Sequence, residues 1–404
     1  MRSEQLSTGC GARTRACRVE TRLDATSAEQ ATWRRQDCRR GTHEYVRHIS
    51  VIAFLALGSL SAQTVQRRVD LPPDSPVTLV SVDWGGTDAT ARGGAFVVDV
   101  RASLSLRNSS QKRVRAITLV VLSQEVTPGG KGSVSIPSLD VVPGDTFPVG
   151  IDLRLLRPIG TTAPVEVKLD GVLFDDLGFY GPDKLHSRRT MTVWELEARR
   201  DRQYFKKILE TAGRDALQKE MLDSLARQAD RPQQGVQMVR GRATNTDPEH
   251  ELAFAFLQLA ESPVEPLSGM ARVAGNEAHA PRIEIRNRSE RPVRYIEMGW
   301  IVKDQQGREF QAASMPADVT LAPGRSSQVV EDAALRLPGA SIQSMTGFVS
   351  SVEFSDGSFW IPSRPALTDA RLRKAVAPSP EEQRLAQIYL KKGPAGLIEE
   401  LRKF

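Results

Sequence analysis

The amino-acid sequence predicts a mainly β protein with some helix: two copies of an antiparallel β-sandwich, each followed by a short helical segment. Two observations carry this. Apolar residues recur at every second position through several short segments, the period of a strand with one buried face. The pattern of one half of the chain also returns in the other at an almost constant spacing, the mark of an internal repeat.

The repeat is visible residue by residue. Leu106-Arg107-Asn108-Ser109-Ser110-Gln111-Lys112-Arg113-Val114-Arg115-Ala116-Ile117 aligns without a gap on the segment Ile285 to Ile296, and six of the twelve positions are identical. One residue further in offset, Pro143-Gly144 falls on Pro323-Gly324, and the segment Phe174 to Pro182 falls on the segment Phe354 to Pro362. The match extends to Gln203, Ile208, Gly213 and Leu217 against Gln383, Ile388, Gly393 and Leu397.

The elements follow in order. Phe96, Val98, Val100, Ala102, Leu104 and Leu106 alternate with mostly polar residues, and a partner strand with Ile117, Leu119 and Val121 follows a turn at Asn108. Further strands are expected at Phe147 to Leu155 and Val165 to Leu169, and in the second copy at Ile296 to Val302 and Phe348 to Phe354. Asp356-Gly357 is a hairpin signal because glycine accepts the positive φ of a tight turn. Asp176-Leu177 takes its place in the first copy, so a different turn is expected there. Thr192 to Ala229 carries a broken helical stripe interrupted near Gly213. Ser379 is placed to cap a second helix with Pro380 at its first position, broken at Gly393-Pro394 and resuming over Ala395 to Phe404. Arg231 to Thr246 is polar and aperiodic and serves as the linker, and Glu249 to Ala260 is expected to add a short helix or a strand. The domains are therefore 76–188 and 263–366 for the sandwiches, 189–230 and 367–404 for the helical segments, and 231–262 for the linker.

The strand ending in Asn-x-Ser, the following strand running to Trp300-Ile301-Val302-Lys303-Asp304, Gly307 and then Leu321-Ala322-Pro323-Gly324 resembles the Ig-like FxLYD modules of bacterial extracytoplasmic proteins. Trp300, Val302 and Lys303 stand where that name has Phe, Leu and Tyr, and the first copy has Val121-Leu122-Ser123-Gln124-Glu125. The resemblance implies tandem Ig-like β-sandwiches used for scaffolding or binding, and brings no catalytic residue.

Ile49 to Leu60 is an apolar run after Arg47 and His48, followed by Ser61-Ala62, which predicts a secretory signal over 46–62 with cleavage after Ala62. A helix of that length spans about 18 Å against a hydrocarbon core of about 30 Å, so no transmembrane anchor is expected after cleavage. Residues 1–45 carry nine Arg and no Lys, and Val46 reads as a GTG start, so this stretch is taken as a disordered, mis-assigned leader. All three cysteines, Cys10, Cys17 and Cys38, lie within it. The expected location is periplasmic or secreted, in a bacterium whose preference for Arg (43) over Lys (12) suggests a GC-rich genome.

From Gln63 onward 45 Lys and Arg face 43 Asp and Glu, a balance that predicts no nucleic-acid partner. The clusters Arg199-Arg200-Asp201-Arg202 and Arg371-Leu372-Arg373-Lys374 are read as solvated helix faces. His186, His250 and His279 are scattered without metal-ligand spacing, and no nucleophile elbow, Walker loop or dinucleotide fingerprint occurs. Gly129-Gly130-Lys131-Gly132-Ser133 is read as a hairpin loop, and Asp175, Asp176 and Asp356 as turn residues. No catalytic, cofactor or metal site is expected.

The recurring aromatic pairs are the one recognition feature. If Phe179 and Phe359 fill the core, Tyr180 and Trp360 lie outside, where a flat ring stacks on a sugar or a peptide. They are the candidate ligand-stacking residues, with packing on the helices as the plainer reading. The expected function is a non-catalytic interaction or structural protein with a protein or carbohydrate partner of the cell envelope. Two alternatives stand beside it: an enzyme with a non-obvious site, and an envelope assembly factor docking a membrane partner through the helix Ala395 to Phe404.

Overall fold

The computed structural model describes residues 66–125, 129–158, 164–231, 235–239, 247–310, 314–330, 334–369, 371–372 and 376–404. The expected leader and signal segment lie outside them. The described residues are mainly β, with two long helices and a short 3-10 turn at Ala366–Thr368.

In the first half, strands β1 (Arg67–Asp70), β5 (Val114–Leu122), β6 (Lys131–Ile136), β8 (Val165–Phe174) and β9 (Phe179–Tyr180) make one sheet in the order β1-β8-β5-β6, with β9 on β8. A second sheet holds β2 (Val77–Asp83), β3 (Asp88–Arg92), β4 (Ala95–Asn108) and β7 (Thr146–Pro158), all paired with β4. The period of two now has its cause: Val98, Val100, Leu104 and Leu106 of β4 are buried against Val149 and Ile151 of β7 and Ile117, Leu119 and Val121 of β5, one core between two sheets.

The second half is also built from two sheets. One sheet runs β10 (Gln237–Val239), β19 (Ala334–Arg336), β14 (Glu277–Asn287), β13 (Val264–Ala274), β11 (His250–Ala253), with β18 (Ser326–Val330) on β14. The other runs β12 (Ala255–Phe256), β20 (Ile342–Phe354), β15 (Val293–Asp304), β16 (Glu309–Phe310), with β17 (Ser314–Leu321) on β15 and β21 (Phe359–Trp360) on β20. Trp300 is fully buried between them, edge-on to Phe254 at 4.7 Å.

Equivalent residues make equivalent pairs in the two halves. Val114 faces Phe174 and Val293 faces Phe354, Leu106 faces Phe147 and Ile285 faces Ser327, and both β5–β8 and β15–β20 carry an irregularity after their first pair. Asn108 is buried and its Nδ2 donates to the carbonyls of Lys112 (2.9 Å) and Val141 (3.0 Å), while Oδ1 accepts from the Ser110 N–H (3.0 Å) and Oγ (2.8 Å). Asn287 donates to Arg291 (2.8 Å) and Leu321 (3.1 Å) and accepts from the Ser289 N–H (2.9 Å) and Oγ (2.7 Å). An amide side chain is required because it supplies donors and acceptors at once to a loop whose backbone would otherwise be buried unpaired.

Several boundaries differ from expectation. β1 lies ahead of residue 76 yet belongs to the first sheet, and β10, β11 and β12 lie within 231–262 yet belong to the second half, so part of the expected linker is strand. Glu249 to Ala260 forms strands and no helix, because β13 and β20 offer open edges to pair with. The first hairpin turn also matches the second: Phe174 N–H donates to Gly178 and Phe354 N–H to Ser358, both at 2.9 Å, and Leu177 takes φ 65° where Gly357 has 83°. Hydrogen bonding therefore holds Leu177 in a conformation that costs a non-glycine residue roughly 1 to 2 kcal/mol.

Helix α1 (Ser187–Ala229) leaves the first half and α2 (Pro380–Leu401) closes the chain. Each contains one glycine at positive φ, Gly213 (φ 83°, ψ −174°) and Gly393 (φ 67°, ψ −169°), a conformation essentially confined to glycine, and each is broken there into two helical pieces. Ser379 caps α2 as expected, its Oγ accepting the Glu382 N–H at 3.0 Å.

Candidate functional site

Tyr180 and Trp360 occupy the same place in the two halves, opposite Val172 on β8 and Val352 on β20. Those two valines are fully buried, so the rings are on the core side of their sheets. Tyr180 packs on the first core; Trp360 packs on the second and also on the cluster of Leu259, Ile301, Phe348 and Leu372. Phe179 points the other way, onto Leu173 and Met191 beneath α1. This reverses the arrangement considered from sequence, because Phe179 needs the bare surface of Gly171, where a Cβ would collide with its ring. Both candidate rings are half-buried, and each closes the end of its own core. Burial and Asp74 raise the Tyr180 phenol above its ordinary value.

The aspartates of the hairpins are turn residues. Asp176 accepts the Gly178 N–H (2.9 Å) and pairs with Lys112 (2.6 Å); Asp356 accepts the Ser358 N–H (2.8 Å) and pairs with Arg291 (3.5 Å). Lys112 and Arg291 also lie over the rings of Phe174 and Phe354. Among the described residues no group of three or more His, Cys, Asp or Glu is placed to hold a metal ion.

The densest chemistry lies where α1 meets α2. Phe205, Leu217 and Met221 of α1 pack on Leu385, Leu397 and Leu401 of α2. Charged side chains are buried around this core. Arg364 donates to both Glu382 carboxylate oxygens (2.6 and 2.9 Å) and to Asp201 (3.3 Å); Ser224 Oγ donates to Glu382 (2.6 Å) and Ser379 Oγ to Asp201 (2.5 Å). Arg202 pairs with Glu195 (2.9 Å) and Glu381 (3.4 Å) and lies 4.3 Å from the Phe404 ring centroid. Burial opposes ionisation of Glu382, but the hydrogen bonds and charge of Arg364, with help from Ser224 and Arg227, hold its carboxyl below the usual range.

Two expectations change here. The Arg199-Arg200-Asp201-Arg202 cluster is not a solvated face, since Asp201 is fully buried and Arg202 nearly so. Part of their neutralisation is local, from Glu195 to Arg202 and from Arg200 to Asp201, and the rest comes from α2 and the segment before it, which no local pattern reveals. The second cluster is also engaged, with Leu372 buried and Arg371 bonded to Glu309 and Thr346; residues 373–374 lie outside the described set. The apolar stripe of Ala395 to Phe404, read as a docking face, is covered by α1 within the chain. The constant offset was the available signal, since it places Phe205 on Leu385 and Met221 on Leu401.

One further carboxylate stands apart. Asp170, buried at the foot of α1, accepts the Leu185 N–H at 3.3 Å. Burial lifts its carboxyl above the usual range despite the hydrogen bond from the Leu185 N–H.

No family model matches this chain, and no curated protein matches it. Among solved structures it is aligned with a β-glucosidase from Kluyveromyces marxianus in complex with glucose at 8% identity and TM-score 0.14, over 69% of this chain and 47% of that one. It thus spans about half the length of that enzyme. A structure titled pT26-6p aligns at 8% identity and TM-score 0.15, over 81% of this chain and 74% of that one. Likenesses at this level carry no argument about fold or function. No described helix is long and apolar enough to cross a membrane.

Proposed function

We propose that the chain is a non-catalytic, secreted or periplasmic interaction protein, built from two copies of an Ig-like β-sandwich unit of the FxLYD type, whose helical segments join the copies into one pair. The observation that carries this reading is the repeated framework: the Asn108 and Asn287 networks, the two hairpin turns and the two glycine-broken helices recur with the same partners. Four of the buried polar groups, Asn108, Asn287, Asp201 and Glu382, are committed to loop backbone and to the helix seam. Such a chain is built to hold two surfaces in place. The partner class is a protein or carbohydrate of the cell envelope, met at the half-buried rings of Tyr180 and Trp360 at the ends of the two cores. A partly exposed aromatic ring contributes roughly 1 kcal/mol to such stacking.

The test is binding of the purified chain from Gln63 to arrays of envelope glycans and peptides, repeated with Tyr180→Leu and Trp360→Leu. Binding that both variants lose while their melting curves stay cooperative supports the reading. Turnover of any substrate by the purified chain, abolished by a single side-chain change, would replace it with an enzyme.

A further inference from the structure

The contacts across the α1–α2 seam divide into two sets. Those within one half include Arg364 with Glu382 and Arg202 with Glu195. Those between halves include Ser224 with Glu382, Ser379 and Arg364 with Asp201, Arg202 with Glu381, and the Phe404 ring over Arg202 and Arg115. Arg189 of α1 adds a 2.6 Å bond to Glu353 of β20, and Arg200 donates to the carbonyl of Pro362 at 3.0 Å. Both halves thus supply a finished surface, with an apolar centre of Phe205, Leu217 and Met221 against Leu385, Leu397 and Leu401.

The pairing is symmetric in position and asymmetric in charge. At the constant offset Arg202 is the equivalent of Glu382, and Ser224 of Phe404. One contact is accordingly a carboxylate taking a hydroxyl, and its counterpart is a guanidinium over an aromatic ring. A pair of first-half helices would set Arg202 against Arg227 where Glu382 now stands, 3.7 Å from Arg227. A pair of second-half helices would set Glu382 against Glu381 where Arg202 now stands, 3.4 Å from Glu381. Like charges at a largely buried seam are disfavoured, so each homotypic pair turns into a repulsion one contact that the mixed pair neutralises.

We propose that this seam is a heterologous recognition surface, through which the first half of the chain binds the second half specifically and without need of the covalent connection. Each half is the other's partner. The seam, and not the linker, sets how the two sandwiches are presented.

The experiment uses the full chain with a specific protease site inserted between Pro232 and Gly235, ahead of β10, so that no strand bridges the cut. After cleavage at neutral pH, size-exclusion chromatography with light scattering should show one species with the mass of the intact chain, containing both fragments. Two half-size species would overturn the proposal, as would self-association of either fragment in preference to the mixed pair. In Glu382→Arg the cut halves should part, with a dissociation constant raised roughly hundred-fold or more, as expected when a buried pair is broken at an interface. Cut Glu382→Arg halves that stay together as tightly as the parent would show that charge plays no part and would also overturn it. The uncut variant is checked by near-UV circular dichroism. If it does not fold, Glu382→Gln takes its place, with weakening of about ten-fold or more expected and unchanged affinity counting against the proposal.

Discussion

Replacing Asn108 by alanine should destabilise the first half by about 3 to 4 kcal/mol, and Asn287→Ala should do the same to the second. The magnitude follows from the bonds lost. Each asparagine makes four side-chain hydrogen bonds from a fully buried site. At roughly 1 kcal/mol each, four lost bonds total about 4 kcal/mol. Some of the partners keep a second bond: the Val141 carbonyl still accepts the Val114 N–H at 2.9 Å, and Ser110 Oγ still reaches the Lys112 carbonyl at 3.0 Å. That compensation brings the figure to the lower end of the range. The assay is urea denaturation followed by tryptophan fluorescence, with hydrogen exchange read by mass spectrometry to assign each loss to β4–β5 or β14–β15. Equal and local losses are expected, because the two networks match atom for atom. A loss below about 1 kcal/mol at either site, or a loss at one site only, would refute both the accounting and the equivalence of the two positions.

Four other outcomes are expected. Gly213→Ala and Gly393→Ala should each cost about 1 to 3 kcal/mol through backbone strain alone, since a Cβ meets nothing within 4 Å at either position; thermal melts check this. Trp360→Ala should lower the melting temperature clearly, by the equivalent of about 2 to 3 kcal/mol, somewhat less than for a fully buried tryptophan. The seam should weaken in acid: Glu382 titrates below the ordinary value of 4.5, so its contribution is complete above that pH and is lost as pH falls through its depressed value, in a melt series from pH 6 to about 3. Asp170 has the opposite sign. Its raised carboxyl favours the folded state at low pH and loses that advantage as pH rises, so Asp170→Asn should stabilise at pH 7 relative to pH 4, measured by the same melts.

The sequence by itself determined the strands that bury one face, the two helices with their glycine breaks, the Ser379 cap and the offset that aligns Asn108 with Asn287. Each depends on a neighbour a few residues away or on a repeat that can be counted. Alternation along Val98, Val100, Leu104 and Leu106 reports a buried face directly, because side chains in a strand point to opposite sides in turn. Tertiary structure decided the rest. Whether L-A-F-A-F-L is helix or strand depends on the open edges of β13 and β20, since short apolar runs suit both. Leu177 takes a glycine's conformation because hairpin hydrogen bonds outweigh its preference. The direction of Tyr180 follows from Gly171, which leaves room for Phe179 on the helix side. Above all, Asp201 and Arg202 belong to a charged stretch that local pattern assigns to solvent. They are buried because Ser379, 178 residues after Asp201, and Glu381 are brought to them by the packing of α2 on α1, and buried charge is tolerated only where such partners arrive.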